Sequence, residues 1–189
     1  MPVARLTDDQ LVAKALTGAS EALLELYERY RDRIMGFAYR MTGRMDLAED
    51  AFHSTFVYLC DHLDRYEPRG KFAAYLFRIA RSKIADEQRV ARNKARLVDN
   101  AERVGLVPDV DTVARPDDEA EIEEQKRMAT EALEKLPERL REVVVLRLYD
   151  GLSHAEIGAV VGVNEATARS RLRYALERLR ELLRKARTQ

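Results

Sequence analysis

Near the end of the chain Arg169, Arg171 and Arg173 alternate with Ser170, Leu172 and Tyr174, just after Ala166 and Thr167. Guanidinium groups pair with phosphate oxygens or guanine edges, and small residues between them let a helix approach base edges closely. A second set interleaves Phe72, Tyr75 and Phe77 with Lys71, Arg78, Arg81, Lys83 and Arg89, and Tyr66 lies just before it. Aromatic rings among cations suit unstacked bases, because every base offers a π face and every nucleotide a phosphate. At helical spacing half of these rings must face a core, which leaves Tyr66 and Tyr75 as the better platform candidates.

Enzymatic chemistry finds no comparable constellation. His53, His62 and His154 are scattered, Cys60 is alone, and there is no glycine-rich phosphate loop or metal-spaced cluster. No catalytic residue, bound metal or cofactor is expected. Cys60 sits in the run Phe56-Val57-Tyr58-Leu59-Cys60, where core packing is its expected role, and a lone cysteine fits a reducing compartment. Met1 to Arg5 form no apolar run, and no stretch approaches the roughly 18 uncharged apolar residues of a membrane span. A cytoplasmic protein without membrane insertion is expected.

The 189 residues carry 33 basic and 33 acidic side chains, a neutrality that dissolves on division. Residues 1–64 hold 7 basic and 11 acidic groups, and residues 65–96 hold 10 and 3. Residues 97–125 hold 2 and 10, residues 126–165 hold 6 and 7, and residues 166–189 hold 8 and 2. Two basic blocks flanking an acidic one form the electrostatic footprint of a phosphate-backbone binder, although solvated helix faces carry such charge too.

The elements that would position these groups are helices. The chain is dominated by Ala, Leu, Arg and Glu, with 8 Gly, 5 Pro and no Trp, so an all-α fold is expected. Thr7 and Gln10 have capping-box spacing ahead of a short first helix. From Ser20, apolar residues recur at three and four as far as Met41, with Gly43 placed as the cap. Asp46 is expected to open a third helix running to about His62, and Pro68 and Gly70 mark residues 63–70 as a loop. A basic helix from Phe72 to about Arg96 closes a first domain, residues 1–96. Residues 97–118 contain Gly105, Pro108 and Pro116 with Asp109, Asp111, Asp117 and Asp118 and no apolar period, which predicts a flexible acidic linker.

A second domain, residues 119–189, is expected to open with helices over Glu119 to Lys135 and Glu138 to Asp150. Ser153 and Glu156 make another capping box, Gly162 breaks the chain, and Asn164 caps the last helix. Two helices separated by a short glycine turn, the second bearing alternating arginines, have the helix-turn-helix layout. At 100° per residue Ala168, Leu172, Ala175, Leu176, Leu179 and Leu183 share a core face, while Ala166, Thr167, Ser170, Tyr174 and Glu177 lie opposite, with Arg173 at the edge.

With these residues assembled, the chain resembles the sigma-70 class of bacterial RNA polymerase sigma factors, specifically the two-domain extracytoplasmic-function (ECF) group. Leu47 to Phe56 (LAEDAFHSTF) and Phe72 to Arg81 (FAAYLFRIAR) are similar to sigma region 2. Leu136 to Arg139 (LPER), Val145 to Ser153 (VLRLYDGLS) and Ala166 to Leu172 (ATARSRL) are similar to region 4. Tyr75 stands where the family often has Trp, Ser82 where it often has Asn, His53-Ser54 where it often has Gln-Glu, and Tyr174 where Arg is common.

The resemblance implies a region 2 bundle and a region 4 helix-turn-helix that direct core polymerase to promoters and promote melting. Asp46, Glu49, Asp50, His53 and Phe56 would dock on the β′ clamp helices, and region 4 on the β flap. Tyr66, Lys71, Phe72, Tyr75, Arg78, Ser82, Lys83 and Arg89 would capture the melted nontemplate strand of the minus-ten element. Arg147, Thr167, Arg169, Ser170, Arg171, Arg173 and Tyr174 would read the minus-thirty-five duplex. Control by an anti-sigma protein is common in the resembled family. The rival reading is a stand-alone operator-binding regulator whose helical first domain senses a ligand or dimerises.

Overall fold

The computed structural model describes residues 6–97 and 119–186, and every regular element among them is helical. Four α-helices build the first half: α1 (Asp8–Leu16), α2 (Ser20–Thr42), α3 (Met45–Asp61) and α4 (Phe72–Leu97), with a single 3-10 turn at Leu63–Arg65 inside the expected loop. The second half contains α5 (Glu119–Glu134), α6 (Glu138–Leu148), α7 (His154–Val161) and α8 (Glu165–Ala186). Residues 98–118, where the acidic linker was expected, lie outside the described residues.

In α2 the buried residues Ala22, Leu26, Tyr30, Ile34, Phe37, Ala38 and Met41 follow the three-and-four spacing of the sequence. They form the centre against which α1, α3 and α4 pack. Aromatic rings lock this packing edge to face: Phe37 meets Phe77 at 5.4 Å, Tyr30 meets Phe72 at 5.5 Å, and Tyr27 meets Phe52 at 5.2 Å. The buried Thr55 hydroxyl donates to the Ala51 carbonyl at 2.6 Å, so its burial leaves no polar group stranded. Gly43 ends α2 in the left-handed conformation (φ 68°), with its amide donating to the Tyr39 carbonyl.

Helix α3 starts at Met45, one residue before Asp46, because Arg44 is the extended capping residue. Its register corrects one expectation: Leu59 and Phe56 take the inward positions, and Cys60 is exposed instead of packing in the core.

Within the second half, α6 buries four consecutive residues, Val143 to Leu146. A helix is apolar all round only when it is covered all round. Here α7 and α8 cover it on their side and α2 reaches it from the first half. Arg141 donates to the carbonyls of Glu134 and Leu136, tying α6 to the end of α5. Since α7 also packs on α4, the buried residues of both halves join in one continuous apolar cluster.

Replacing Phe77, which is fully buried, with Ala should cost about 3–5 kcal/mol of unfolding free energy. Ser153→Ala, which removes the reciprocal cap of α7, should cost about 1 kcal/mol. Urea denaturation followed by circular dichroism checks both.

Candidate nucleic-acid interface

The inward stripe of α4, Phe72, Leu76, Phe77, Ala80 and Ile84, is buried against α2 and α3. With that stripe fixed, the helix presents Arg78, Arg81, Ser82 and Arg89 to solvent, and Lys71 is exposed just ahead of it. The Arg78 guanidinium lies 5.6 Å from the centre of the half-buried Tyr75 ring. Lys83 Nζ lies 4.8 Å from the Tyr58 ring, which stacks on the His62 imidazole at 4.1 Å. Tyr58 and His62 therefore extend the aromatic and cationic track, and sequence reasoning missed them because they belong to α3 and its end, not to the basic block.

Two residues expected to meet the minus-ten strand are buried instead. Phe72 is buried between Tyr30 and Tyr66. Tyr66 is also buried, and its hydroxyl donates to Asp9 Oδ1 at 2.6 Å. Burial, assisted by the Asp9 carboxylate, pushes the Tyr66 hydroxyl up to about 12. Asp9 Oδ2 accepts the Gly70 amide at 2.7 Å, so this one carboxylate pins both ends of the loop to α1. The two rings support the loop ahead of α4 and are closed to a base. Nothing in the local sequence around residue 66 points to a partner 57 positions away; only the acidic first turn of α1 hints at a carboxylate available there.

On α3, Asp46, Glu49, Asp50 and His53 are exposed and share a helical side, whereas Phe56 is buried in the core, with its ring 5.0 Å from those of Tyr27 and Phe52. Arg44 hydrogen-bonds Asp46 and holds its carboxyl below the ordinary range. The exposed acids form one acidic face of α3, and Phe56 lies in the core beneath it.

Glycine geometry sets the turn between α7 and α8. Gly162 has φ 75°, and the Val163 amide donates to the Gly158 carbonyl at 2.9 Å. A Cβ on Gly158 would stand 2.7 Å from the Val163 carbonyl oxygen, so the turn closes only over a glycine. Asn164 Oδ1 accepts the Thr167 amide at 2.8 Å and starts α8. From there Ala168, Leu172 and Ala175 are buried, while Ala166, Arg169, Ser170, Arg173 and Tyr174 are exposed and Thr167 is half-buried. Arg169 pairs with Glu165 at 2.6 Å, and the exposed Arg147 donates to the Leu152 carbonyl at 2.9 Å. Arg171 departs from this group: it is half-buried and near enough to Glu142 of α6 to favour that carboxylate's charge.

Residues 26–94 match the family model of sigma-70 region 2, and residues 132–181 match that of sigma-70 region 4. The chain belongs to the sigma-70 family. RNA polymerase sigma factor CarQ of Myxococcus xanthus is 34% identical over 169 residues, spanning 88% of this chain and 91% of CarQ. ECF sigma factor SigW of Bacillus subtilis is 30% identical over 173 residues, with 88% and 91% covered. Among solved structures, CnrH in complex with the cytosolic domain of CnrY superposes with a TM-score of 0.70 at 26% identity, covering 94% of this chain and 97% of CnrH. The chain is thus an ECF RNA polymerase sigma factor, which directs core polymerase to promoters and promotes their melting. Both halves are accounted for by one family, and the stand-alone operator-binding regulator is not favoured. No described helix is long and apolar enough to cross a membrane.

One titrating group of this sigma factor lies where α6 meets α2. Burial pushes the Asp150 carboxyl up to about 7, against the opposing pull of Arg33 and Arg40. The folded protein holds this proton at pH values where an unfolded aspartate, at 3.8, has released it. Folding then takes up a proton between about pH 4 and 7, and the associated stability is lost as pH rises through that window. Measured against Asp150→Asn as the reference, the wild-type urea midpoint should fall between about pH 4 and 7.

Proposed function

We propose that the two basic surfaces divide promoter recognition between them. A region 2 unit, residues 1–96, captures the melted nontemplate strand of the minus-ten element along Lys71, Tyr75, Arg78, Ser82, Lys83 and Arg89, with Tyr66 and Phe72 supporting the loop from within. A region 4 unit, residues 119–189, reads the minus-thirty-five duplex through Arg147, Thr167, Arg169, Ser170, Arg173 and Tyr174, with Arg171 on the inner side of the helix. Residues 97–118 link them. The exposed acids Asp46, Glu49 and Asp50, with His53, dock on the β′ clamp helices over a base built on Phe56, and region 4 rests on the β flap.

The single observation that carries this reading is the segregation of side chains on α4 and α8. Each helix buries an apolar stripe and shows most of its cations outward, with Lys83 of α4 and Arg171 of α8 half-buried. An exposed face of that kind supports phosphate and base contacts. The same reading places the protein in the cytoplasm beside polymerase, without catalysis of its own. The likeness to CnrH, solved in complex with the cytosolic domain of CnrY, supports a further protein partner for this chain, a role that an anti-sigma protein would fill.

In vitro transcription with purified bacterial core polymerase on genomic promoter fragments tests the assignment. Start sites that appear only with this protein and share paired upstream elements support it; factor-independent start sites overturn it. Arg78→Ala should abolish most open complexes in permanganate footprints while leaving binding to core polymerase intact. Arg173→Ala should weaken minus-thirty-five-dependent promoters by about 1–3 kcal/mol if its contact is to a base edge, measured by filter binding of the holoenzyme.

A further inference from the structure

Two adjacent carboxylates in the first turn of α1 reach different parts of the first half. Neighbours on a helix point about 100° apart, and Asp8 and Asp9 take separate partners. Asp8 Oδ1 accepts Arg29 Nη1 and its Oδ2 accepts the Tyr30 hydroxyl, each at 2.6 Å. Asp9 accepts the Tyr66 hydroxyl on Oδ1 and the Gly70 amide on Oδ2. The rings of these two tyrosines enclose a third: Phe72, the first residue of α4, lies 5.5 Å from the Tyr30 ring and 5.3 Å from the Tyr66 ring, centre to centre. All three are buried. Asp8, Tyr30, Phe72, Tyr66 and Asp9 therefore form a closed circuit that begins and ends on consecutive residues of the chain.

On its outer side the circuit touches Tyr75, the half-buried ring beside Arg78. The Tyr75 ring lies 5.2 Å from that of Tyr66, while its own hydroxyl makes only a long 3.5 Å contact with the His62 carbonyl, so Tyr66 does more than that contact to seat it. The amides of Arg69 and Lys71 lie near enough to the Tyr66 hydroxyl to favour its ionised form. Glu67, Pro68 and Arg69 are exposed and bring no buried apolar side chain to the loop. Its shape depends on the polar centre made by the Tyr66 hydroxyl and Asp9. Helix α1 lies outside residues 26–94, the stretch that matches region 2, so this centre is completed from beyond the matched residues.

We propose that Asp9 is a positioning residue for minus-ten recognition, which presets the Tyr75 ring and the loop from Tyr66 to Lys71 in the shape that receives the melted strand. The proposal rests on the assignment of Lys71, Tyr75 and Arg78 to that strand. Asp9 does not bind the strand itself: a carboxylate repels phosphate, and both its oxygens are taken by the loop. Its effect is on shape. Without it the buried Tyr66 hydroxyl and the Gly70 amide lose their acceptor, and the loop is no longer held in one form. A strand that meets a preset loop and ring binds without first ordering them, which strengthens binding with no added contact. Attraction between the exposed cations and phosphate survives a loosened loop. The loss therefore falls on the strand that fits the loop, and not on single strands in general.

The test measures binding of the holoenzyme to a fluorescent nontemplate-strand oligonucleotide carrying the minus-ten element mapped from its start sites, beside a scrambled strand. Asp9→Ala should weaken binding to the mapped strand on the order of tenfold, the share of one charge-assisted hydrogen bond, and leave the scrambled strand and core polymerase binding unchanged. Tyr66→Phe keeps the ring and removes the hydroxyl, so it should lose affinity in the same direction. The double variant should bind no worse than Asp9→Ala, since both changes remove one shared bond. A purely structural role would lower the amount of competent protein and the signal with every probe, leaving the Kd values alone. A wild-type Kd for the mapped strand in Asp9→Ala would overturn the proposal, as would an equal loss on both strands. If Asp9→Ala fails to assemble with core polymerase, Tyr66→Phe carries the test by the same two criteria. Tyr75→Ala separates the proposal from the assignment beneath it. Unchanged binding in Tyr75→Ala overturns both, whereas a loss in Tyr75→Ala beside an unchanged Asp9→Ala rejects the positioning role alone.

Discussion

The rotational phase of α4 governs the rest of the molecule. A straight helix can present only one side to a core, and Phe72, Leu76, Phe77, Ala80 and Ile84 use that side fully. Every cation of the helix is thereby assigned a direction. Turning the helix to bury a charge would expose two phenylalanines that meet Tyr30, Tyr66 and Phe37 edge to face, and would desolvate a charged group without a partner. The same constraint applies to α8, whose buried Ala168, Leu172 and Ala175 send the alternating arginines in different directions. Alternation in sequence therefore becomes divergence in space, with Arg169 and Arg173 outward and Arg171 toward α6.

The second consequence of that phase is the meeting of the two halves. Because α4 shows arginines outward, whatever packs beside it must supply acids or accept the cost of unpaired charge. Helix α6 supplies Glu142 to Arg81 of α4, while the residues after it bring Asp150 and the Tyr149 ring to Arg33 and Arg40 of α2. The Glu142 and Asp150 side chains in these contacts are largely screened from water. Electrostatics there carries more weight than at the exposed pairs Arg127–Glu124 or Arg178–Glu181, which are solvated and contribute little.

The helices themselves were legible because their signals are local. Capping boxes at Thr7 and Ser153, glycine stops at Gly43 and Gly162, and apolar spacing in α2 and α8 are each decided within a few residues, and the structure places them where the pattern does. Boundaries differed by a residue or two: α6 stops at Leu148 ahead of Asp150, and α3 starts at Met45. What local pattern could not reveal were choices made by distant partners. Tyr66 reads as a surface aromatic until Asp9 is brought to it, Phe56 as a docking residue until Tyr27 and Phe52 surround it, and Cys60 as core until the phase of α3 is known. Glu142 and Arg81 are likewise 61 positions apart and gave no mutual signal.

The Asp9 anchor bears on how such proteins can be recombined. The loop from Tyr66 to Gly70 takes its shape from a carboxylate at the start of the chain, not from its own residues. A loop transplanted from a relative together with its following helix would arrive without its fastening unless the first helix travelled with it. The smallest exchangeable piece of this surface is therefore discontinuous: two segments separated by more than fifty residues that behave, for the purposes of inheritance and engineering alike, as a single module.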